Sequence, residues 1–327
     1  MKESDVIDLF KMKTGADVIL GQGDDCAVLP GPNPDQYTVV TTDMLIEGTH
    51  FLKDQLTAGQ LAKKSLAVNL SDIASMGAKP TYVFLSLALP KETPDQWIKE
   101  FALAFKDECL RHNVVLVGGD TNRSSSLIVV NPVIHGTVLK ANLKTRSGAR
   151  EGDLICVTGV VGNSRAGLSL LQSPKLTSAV SNVLIKSHFE PTAHLQEGLF
   201  LGREAAVTAM MDVSDGIAAD LPKLLKSSNC EATIQLEKIP ISNELKDFCQ
   251  QTQQNAFEFA ALGGEDYVLL LTVTESNFLK LQSDFKNEFG KNLDCIGKIT
   301  DGLSSQVSYF LNGEKHILKN SSFEHFE

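Results

Sequence analysis

The order of apolar and polar positions predicts strands and helices that follow one another along the first half of the chain. Tyr37–Thr42 is rich in β-branched residues, which favours a strand, and Tyr82–Leu89 is a second apolar run of strand length. Thr57–Met76 and Pro94–His112 carry apolar residues at the helical period. The short apolar run Val114–Val117 predicts a buried strand that ends at a double glycine.

The second half of the chain starts this order again after a polar, turn-rich stretch at residues 142–152. A length of 327 residues exceeds one average domain of roughly 100–200 residues. We therefore expect two domains, residues 1–140 and residues 141–327. The clearest elements predicted for the second domain are one helix, Ser164–Leu171, and three strands, Asp153–Val157, Ala209–Val213 and Tyr267–Val273.

The first of the two predicted long helices is apolar over much of its surface and has one narrow polar stripe. Ser65, Asn69 and Asp72 form that stripe at positions i, i+4 and i+7. Such a stripe on an apolar helix indicates either a face turned to a functional site or an ordinary face turned to solvent. Lys63 and Lys64 indicate that part of this helix is exposed.

Composition and charge narrow the class of protein. The formal charge of −10 argues against nucleic-acid binding, although bound Mg²⁺ can make an acidic cluster attractive to an anionic ligand. Met1–Phe10 lacks the apolar core of a secretory signal, and no apolar run approaches the ~20 residues that span a bilayer. Six cysteines without a CxxC pair predict reduced thiols and no thiolate zinc site. We expect a cytoplasmic protein without a nucleic-acid or membrane partner.

The sequence lacks two common phosphate-binding motifs. Neither GxxxxGK[ST] nor GxGxxG occurs, which excludes a Walker-type nucleotidase and leaves a Rossmann site without support. Gly159–Ser164 precedes a predicted helix, whose first N–H groups are able to bind an anion. A strand-to-helix turn needs glycine in any case, and we favour that structural role for this segment.

Seven short acidic residues stand at strand ends, helix starts or glycine turns, beside hydroxyl residues. Taken alone, each acid is explained as a turn or cap residue, as with Asp215 before Gly216. Together they predict oxygen ligands for several Mg²⁺ ions, which would in turn hold phosphates. The acids are Asp24, Asp25, Asp43, Asp72, Asp120, Asp212 and Asp215, and the hydroxyl residues are Thr41, Thr42, Ser71, Thr121 and Ser214.

Four other side chains have both a functional and an ordinary interpretation. His50 is a candidate base or a hydrogen-bonded bystander, and Arg146 is a candidate phosphate clamp or a solvated loop charge. Glu265 and Asp266 follow a double glycine, so they are candidate ligands for a metal or a cationic substrate, or simple turn residues.

Eight motifs, in their order along the chain, resemble those of thiamine-monophosphate kinases. The tail at Phe323–Phe326 also resembles the ending of that family. The resemblance implies an α/β (α+β) fold like that of aminoimidazole ribonucleotide synthetase and selenophosphate synthetase, with an N-terminal mixed sheet with helices and a C-terminal α/β sandwich. The motifs are Gly23–Ala27, Thr41–Asp43, Glu47–Phe51, Ala67–Asp72, Gly118–Thr121, Thr145–Ala149, Asp212–Gly216 and Gly263–Tyr267.

The resemblance implies ATP-dependent phosphorylation of thiamine phosphate to thiamine diphosphate, by a homodimer built through the N-terminal domains. That domain would bind ATP and Mg²⁺, and the C-terminal domain would complete the active site. The attacking group would be a substrate phosphate oxygen with a second pKa of ~6, so no general base is expected. Two alternatives stay open: another ATP-using member of the same superfamily, or a non-catalytic nucleotide- and metal-binding protein.

The resemblance also implies a role for each matching residue. Asp120 and Asp215 would be the most critical acids. Phe323 would contact the substrate, or it would only pin the C-terminus to the domain. The implied metal ligands are Asp25, Thr41, Thr42, Asp43, Asp72, Asp120, Asp212 and Asp215; the ATP contacts are Gly119, Asp120, Arg146 and Ser214; the thiamine contacts are His50, Glu265 and Phe323.

Overall fold

Two β-sheets and a long helix between them form the framework of the protein. The structure, a computed structural model, describes residues 3–15, 17–173 and 181–318. The first sheet has the strand order β1-β2-β6-β4-β5, with β3 paired to β6, and its neighbours are antiparallel except for β4 and β5. Its strands are β1 (Ala27–Pro30), β2 (Gln36–Thr42), β3 (Leu45–Ile46), β4 (Lys79–Pro90), β5 (Val115–Ser124) and β6 (Val129–Leu139).

The second sheet contains seven strands in the order β13-β12-β9-β11-β7-β10-β8, and β12 and β9 are its parallel pair. Residues 140–153 connect β6 of the first sheet to β7 of the second and include a short 3-10 turn. The strands are β7 (Leu154–Val157), β8 (Val207–Asp212), β9 (Glu231–Gln235), β10 (Leu269–Val273), β11 (Asp294–Thr300), β12 (Val307–Leu311) and β13 (Glu314–His316).

Ten helices accompany the sheets in the described residues. Most lie in the second half of the chain, where they cover the seven-stranded sheet. They are α1 (Glu3–Leu9), α2 (Ala58–Ser75), α3 (Asp95–Arg111), α4 (Asn163–Gln172), α5 (Ser181–Phe189), α6 (Leu195–Arg203), α7 (Ile217–Ser228), α8 (Asn243–Gln251), α9 (Ala256–Ala261) and α10 (Phe278–Phe289).

Helix α2 is the element that joins the two sheets. It begins at a capping box in which the Thr57 hydroxyl accepts the Gln60 N–H and the Gln60 side chain accepts the Thr57 N–H. Thirteen of its eighteen residues are buried, which is typical of a helix covered on more than one side. It contacts β2, β4 and β6 of the first sheet as well as β8 and β10 of the second. One hydrophobic core therefore runs from Val83 through Leu66 to Met210.

The α/β fold expected from the sequence is confirmed, with one local error. Val114–Val117 is not a buried strand: β5 is an edge strand whose residues from Val115 to Arg123 are exposed, and it continues through Gly118 and Gly119. An apolar run of strand length has the same residue pattern in a buried core strand and in an exposed edge strand. The sequence alone could therefore not distinguish the two kinds of strand. No helix in the described ranges has the length and apolarity needed to cross a bilayer.

Candidate functional site

A cavity of about 820 Å³ opens between the two sheets, along one side of α2. One half is lined by acidic residues that follow β2 and β8 and by the middle of α2. The other half is lined mainly by apolar side chains from residues 44–56, from α4 and α5, and from the loop after α9. The apolar side chains are Met44, Leu45, Phe51, Leu52, Leu56, Leu168, Phe189 and Leu262.

Three of the predicted metal ligands converge in the acidic half. Asp25, Asp72 and Asp212 each offer a carboxylate oxygen, and the three oxygens lie within 4.8 Å of one another. Burial, and then the charges of neighbouring acids, raise the pKa of both Asp72 and Asp212 well above its usual value. Carboxylates this close are stable together only if they take up protons or a cation, so the cluster has the chemistry of a hard-metal site.

Hydroxyl groups from the predicted motifs orient two of these carboxylates. The Thr41 hydroxyl donates to Asp72 Oδ2, and the Ser71 hydroxyl donates to Asp212 Oδ2 at 2.7 Å. The Asp43 N–H donates to the Asn69 side-chain oxygen at 2.8 Å, which fixes the end of β2 on α2. Asn69 is fully buried and Asp72 lines the cavity, so this part of the polar stripe of α2 faces the site rather than solvent. Ser65 is also fully buried, and its hydroxyl donates to the Ala62 carbonyl of its own helix at 2.9 Å.

The ends of β1 and β2 supply three further acidic and hydroxyl groups. The pKa of Asp24 rises to about 6 through burial and the nearby charge of Asp25. The pKa of Asp43 also rises to about 6, through desolvation in the cleft and the charges of Asp25 and Asp215. The Thr42 hydroxyl donates to the Pro132 carbonyl and accepts from Asn131, although Thr42 still lines the cavity.

Arg146 lies against the acidic cluster and is paired with one of its carboxylates. Its Nε donates to Asp25 Oδ1 at 3.0 Å and its terminal nitrogen makes a shorter contact with the same oxygen. Its backbone N–H donates to the Asp24 carboxylate at 3.1 Å. The second oxygen of Asp25, Oδ2, is buried without a hydrogen-bond partner in the described residues, which leaves it available to a metal ion.

Asp215 and Ser214 also line the cavity, but Asp215 already has a cationic partner. Lys223 Nζ lies 2.6 Å from Asp215 Oδ2 and 2.8 Å from Asp220 Oδ1. Asp220 is completely buried and its other oxygen accepts the Asp215 N–H at 2.9 Å. Our sequence analysis missed Lys223 and Asp220; their i, i+3 spacing at the start of a helix was the available signal.

Gly119 and Asp120 lie apart from the carboxylate cluster in this chain. Asp120 stands on β5 opposite Ser86 of β4, so it is three strand spacings, about 14 Å, from the end of β2. Neither residue lines the cavity. Gly119 is required by packing, because a Cβ on its backbone would lie 1.8 Å from the Leu85 carbonyl oxygen.

His50 and Glu265 line the half of the cavity opposite the carboxylates. His50 Nδ1 accepts the Ile46 N–H at 3.1 Å, so the proton of the neutral ring is on Nε2. Glu265 adopts a left-handed backbone conformation with φ of 62°. Phe323 lies outside the described residues.

Glu265 is held by two residues that our sequence analysis did not connect with the site, Lys64 and His188. Lys64 Nζ lies 2.9 Å from Glu265 Oε1, and His188 Nδ1 lies 3.2 Å from Oε2. Burial opposes ionisation of Glu265, but these partners lower its pKa to about 2. The expectation that Lys64 is exposed is wrong, since 1% of its side chain is exposed; the partner carboxylate of Glu265 explains how the buried charge is tolerated.

The carboxylate of Asp266 binds the backbone of the glycine-rich segment before α4. Asp266 is half-buried and accepts N–H bonds from Gly162 and, at 3.2 Å, from Ser164. The first N–H groups of α4 are therefore occupied by a carboxylate of the chain itself, in keeping with the structural role favoured for Gly159–Ser164. Asp266 faces a separate cavity of about 710 Å³ rather than the carboxylate cluster.

Comparison with known proteins gives one consistent result over almost the whole chain. Residues 23–139 match the family described as AIR synthase related protein, N-terminal domain, and residues 150–309 match its C-terminal domain. A thiamine-monophosphate kinase from Buchnera aphidicola (Acyrthosiphon pisum) is 41% identical over 97% of this chain and 96% of that protein. The thiamine-monophosphate kinase of Escherichia coli K12 is 38% identical over 95% and 93%, respectively.

Solved structures agree with these relatives. A structure described as AaThiL complexed with AMPPCP and TMP has a TM-score of 0.85 and 31% sequence identity, over 99% of this chain and 97% of that chain. The thiamine-monophosphate kinase of Stenotrophomonas maltophilia K279a has a TM-score of 0.78 and 32% identity, over 95% of each chain.

Proposed function

The chain belongs to the thiamine-monophosphate kinase family, and from this premise we propose that it phosphorylates thiamine phosphate with ATP to give thiamine diphosphate. The observation that carries the proposal is the convergence of Asp25, Asp72 and Asp212 in one half of a cavity whose other half is largely apolar. Transfer of the γ-phosphoryl group of ATP needs charge neutralisation in one half, and an acceptor with aromatic rings needs an apolar wall in the other.

The acidic half fits several Mg²⁺ ions. The unpartnered oxygen of Asp25 and the raised pKa values of Asp72 and Asp212 are both properties of a site that gains stability when a cation enters. Bound Mg²⁺ would neutralise phosphate charge and align the reacting groups. The residues that would hold it are Asp25, Thr41, Thr42, Asp43, Asp72, Asp212 and Asp215. Asp120, which the family resemblance adds to this set, does not line the cavity of its own chain.

The reaction needs no protein base. An oxygen of the substrate phosphate attacks the γ-phosphorus of ATP, the bond from that phosphorus to the β-bridging oxygen breaks, and ADP leaves. His50 is not arranged as a base, because its Nδ1 already accepts a backbone N–H and Nε2 holds the proton. His50 instead binds the acceptor as a donor. Arg146 and Ser214 bind the ATP phosphates.

The apolar half suits the ring system of thiamine phosphate. Phe51 and Phe189 supply aromatic surface, and Glu265 supplies a carboxylate for the aminopyrimidine or the thiazolium. These aromatic side chains provide a wall that does not depend on Phe323, which adds to it if the C-terminus folds back over the cavity.

We also propose a homodimer formed through the face of the first sheet that lies opposite α2. Tyr82, Phe84, Val115 and Val117 are each more than 40% exposed on that face and on its edge strand. An exposed apolar face next to an unpaired strand edge is a strong site for pairing with another chain. In such a dimer Asp120 of each protomer lies at the interface.

The remaining expectations follow from the same family. Residues 1–140 form the ATP- and Mg²⁺-binding domain and the dimer contact, and residues 141–327 complete the active site. The six cysteines are free in the described structure, five of them buried, which fits a reducing compartment, and we place the enzyme in the cytoplasm.

The test is a product assay. Purified protein is incubated with ATP, Mg²⁺ and thiamine phosphate, and thiamine diphosphate is measured by chromatography. We expect product in proportion to ADP, and none with unphosphorylated thiamine. Turnover with a different acceptor would indicate another member of the superfamily, and ATP binding without turnover would indicate a non-catalytic protein; either result would overturn the proposal.

A further inference from the structure

The ammonium group of Lys64 is buried inside the molecule. Its side chain projects from α2, the helix between the sheets, and 1% of it is exposed. Within the described residues, Nζ makes no hydrogen bond of standard geometry, and its charge is answered by the ion pair with Glu265 Oε1 at 2.9 Å. A buried ammonium is tolerated only when it is paired, so Lys64 and Glu265 depend on each other.

Glu265 is held from several sides. His188 lies 3.2 Å from its second oxygen and also 3.1 Å from the Ser164 hydroxyl. The Glu265 N–H donates to the Ser214 carbonyl at 2.7 Å, which keeps the loop in its left-handed turn. The Glu265 side chain is 29% exposed and lines the cavity; Lys64 also lines it, but only 1% of its side chain is exposed.

We propose that Lys64 is a positioning residue for the acceptor: through its ion pair it fixes the Glu265 carboxylate toward the ring of thiamine phosphate. The inference rests on the proposed function and deepens it. Lys64 belongs to the first sheet's side of the cavity and Glu265 to the second's, so the pair also sets the distance between the two walls of the acceptor half.

The charges of Lys64 and Glu265 explain why the exact position of the Glu265 carboxylate matters for acceptor binding. Lys64 and Glu265 together carry no net charge, so the carboxylate recognises the acceptor through directed hydrogen bonds to its remaining lone pairs rather than through a net negative charge. Directed contacts lose their effect when a group shifts by about 1 Å. A Glu265 carboxylate without Lys64 would turn toward solvent or toward His188 and leave the acceptor misplaced.

The experiment compares four variants with the wild-type enzyme. Lys64→Met removes the charge but keeps a stem of similar length, and Glu265→Gln removes the partner. Lys64→Met/Glu265→Gln removes both buried charges. Lys63→Met is the matched control, since Lys63 is the neighbouring residue and pairs with Glu190 instead. For each we measure kcat, KM for thiamine phosphate, KM for ATP, the affinity for an ATP analogue, and the melting temperature.

We expect Lys64→Met to raise KM for thiamine phosphate by roughly tenfold or more, with ATP-analogue affinity unchanged within about twofold. Lys63→Met should leave both KM for thiamine phosphate and the affinity for the ATP analogue unchanged. Glu265→Gln should lower the melting temperature, because it leaves Lys64 buried without a partner. The double variant should recover the melting temperature while its KM for thiamine phosphate stays high.

Three outcomes would overturn the role of Lys64. The first is that Lys64→Met weakens binding of the ATP analogue as much as that of thiamine phosphate. The second is that Lys64→Met lowers the melting temperature but leaves KM for thiamine phosphate unchanged. The third is that the double variant has the wild-type KM for thiamine phosphate. The last would mean that Glu265 serves only to neutralise Lys64. A wild-type enzyme that makes no thiamine diphosphate would refute the proposed function, and this inference with it; an active wild type with a normal Lys64→Met variant refutes the inference alone. If Lys64→Met does not fold, the double variant decides.

Discussion

Asp72 is a predicted ligand in a demanding environment, because desolvation and the charges of three neighbouring acids raise its pKa well above its usual value. We predict that Asp72→Asn lowers kcat by roughly 100-fold or more, since one ligand of the phosphate-neutralising metal is lost. Without Mg²⁺ the variant should be at least as stable as wild type, because a neutral amide replaces an acid that is repelled by its neighbours.

The measurement is turnover against Mg²⁺ concentration together with thermal melting in EDTA. Asp107→Asn, on the exposed face of α3, is the control and should behave as wild type. Wild-type activity of Asp72→Asn at limiting Mg²⁺ would remove Asp72 from the set of ligands.

His50 provides the second prediction. Since its Nδ1 accepts the Ile46 N–H, we expect His50→Asn to raise KM for thiamine phosphate and to change kcat by less than about tenfold. Loss of a general base typically reduces the rate by ~10²–10⁴-fold. Steady-state kinetics with saturating ATP separates these cases, and a kcat loss in that larger range with unchanged KM would show that the substrate phosphate is not the unaided nucleophile.

The acidic cluster as a group predicts how stability depends on pH. Burial and the charge of Asp25 raise the pKa of Asp24 from 3.8 to about 6, and burial and neighbouring acids raise the pKa of Asp72 and of Asp212 well above its usual value. An acid whose pKa is higher in the folded state stabilises the fold while it is protonated, so metal-free protein should lose this stability as pH increases from about 4 through 6 and beyond. Mg²⁺ replaces those protons, so it should raise the melting temperature more at pH 8 than at pH 5.

Melting curves with Mg²⁺ or with EDTA at pH 5, 6, 7 and 8 test this prediction. A shift of the same size at every pH would mean that Mg²⁺ does not displace protons from the cluster.

At the residue scale, the sequence pointed to three acids that converge in the cavity, but it did not reveal the separate position of Asp120 or the buried cations. The glycine and hydroxyl neighbours of Asp25, Asp72 and Asp212 marked them as ligands, and the structure brings these three together. Lys64 gave no comparable signal: lysine is normally exposed, and the carboxylate that permits its burial is 201 positions away in the chain. Pairing over such a distance depends on the packing of both sheets, which a local pattern does not contain.

At the scale of elements, the close approach of α6 to the end of α2 depends on glycine. A Cβ on Gly198 would lie 2.2 Å from the Ala74 carbonyl oxygen, so Gly198→Ala must push the two helices apart. We expect a loss of roughly 1–3 kcal/mol in the free energy of unfolding, as for other overpacked sites. Urea denaturation measures it.

Gly59→Ala is the control within α2, because a Cβ there meets its nearest neighbour at an ordinary 3.6 Å. That variant should be as stable as wild type or slightly more stable, since alanine favours the helix. Equal stability of the two variants would show that the helices adjust without strain.

Helix and strand positions were predictable where the pattern was long and regular. Thr57–Met76 corresponds to α2 within one residue at each end, since its cap residue and its closing glycine are both local signals. The exposure of β5 was not predictable, because its apolar sequence is equally typical of a buried core strand and of an edge strand that is unpaired on one side. Sheet order and the position of Asp120 relative to Asp43 likewise depend on which strands pair.

At the scale of the whole molecule, the exposed face of the first sheet leads to a prediction about assembly. Phe84 lies on that face, next to His135. We expect Phe84→Glu to convert the proposed dimer to a monomer, because a charge would be buried at the interface without a partner. Light scattering coupled to gel filtration gives the mass directly.

Leu110→Glu is the matched control: Leu110 is 75% exposed, but it belongs to α3 on the opposite side of the sheet. The control should keep the mass of the wild-type protein. If wild type itself elutes as a monomer of about 35.5 kDa, the dimer proposal is wrong.

The position of α2 between the two sheets has a consequence for synthesis of the chain. The helix leaves the ribosome with the first sheet. However, Asp212, the partner of Ser71, is synthesised 141 residues after it, and Glu265, the partner of Lys64, is synthesised later still. At about 5–20 residues per second, the second partner follows after roughly 10–40 s. During that interval the nascent chain carries one uncovered side of α2, with an unpaired lysine on it, and this is the surface on which a ribosome-associated chaperone would bind.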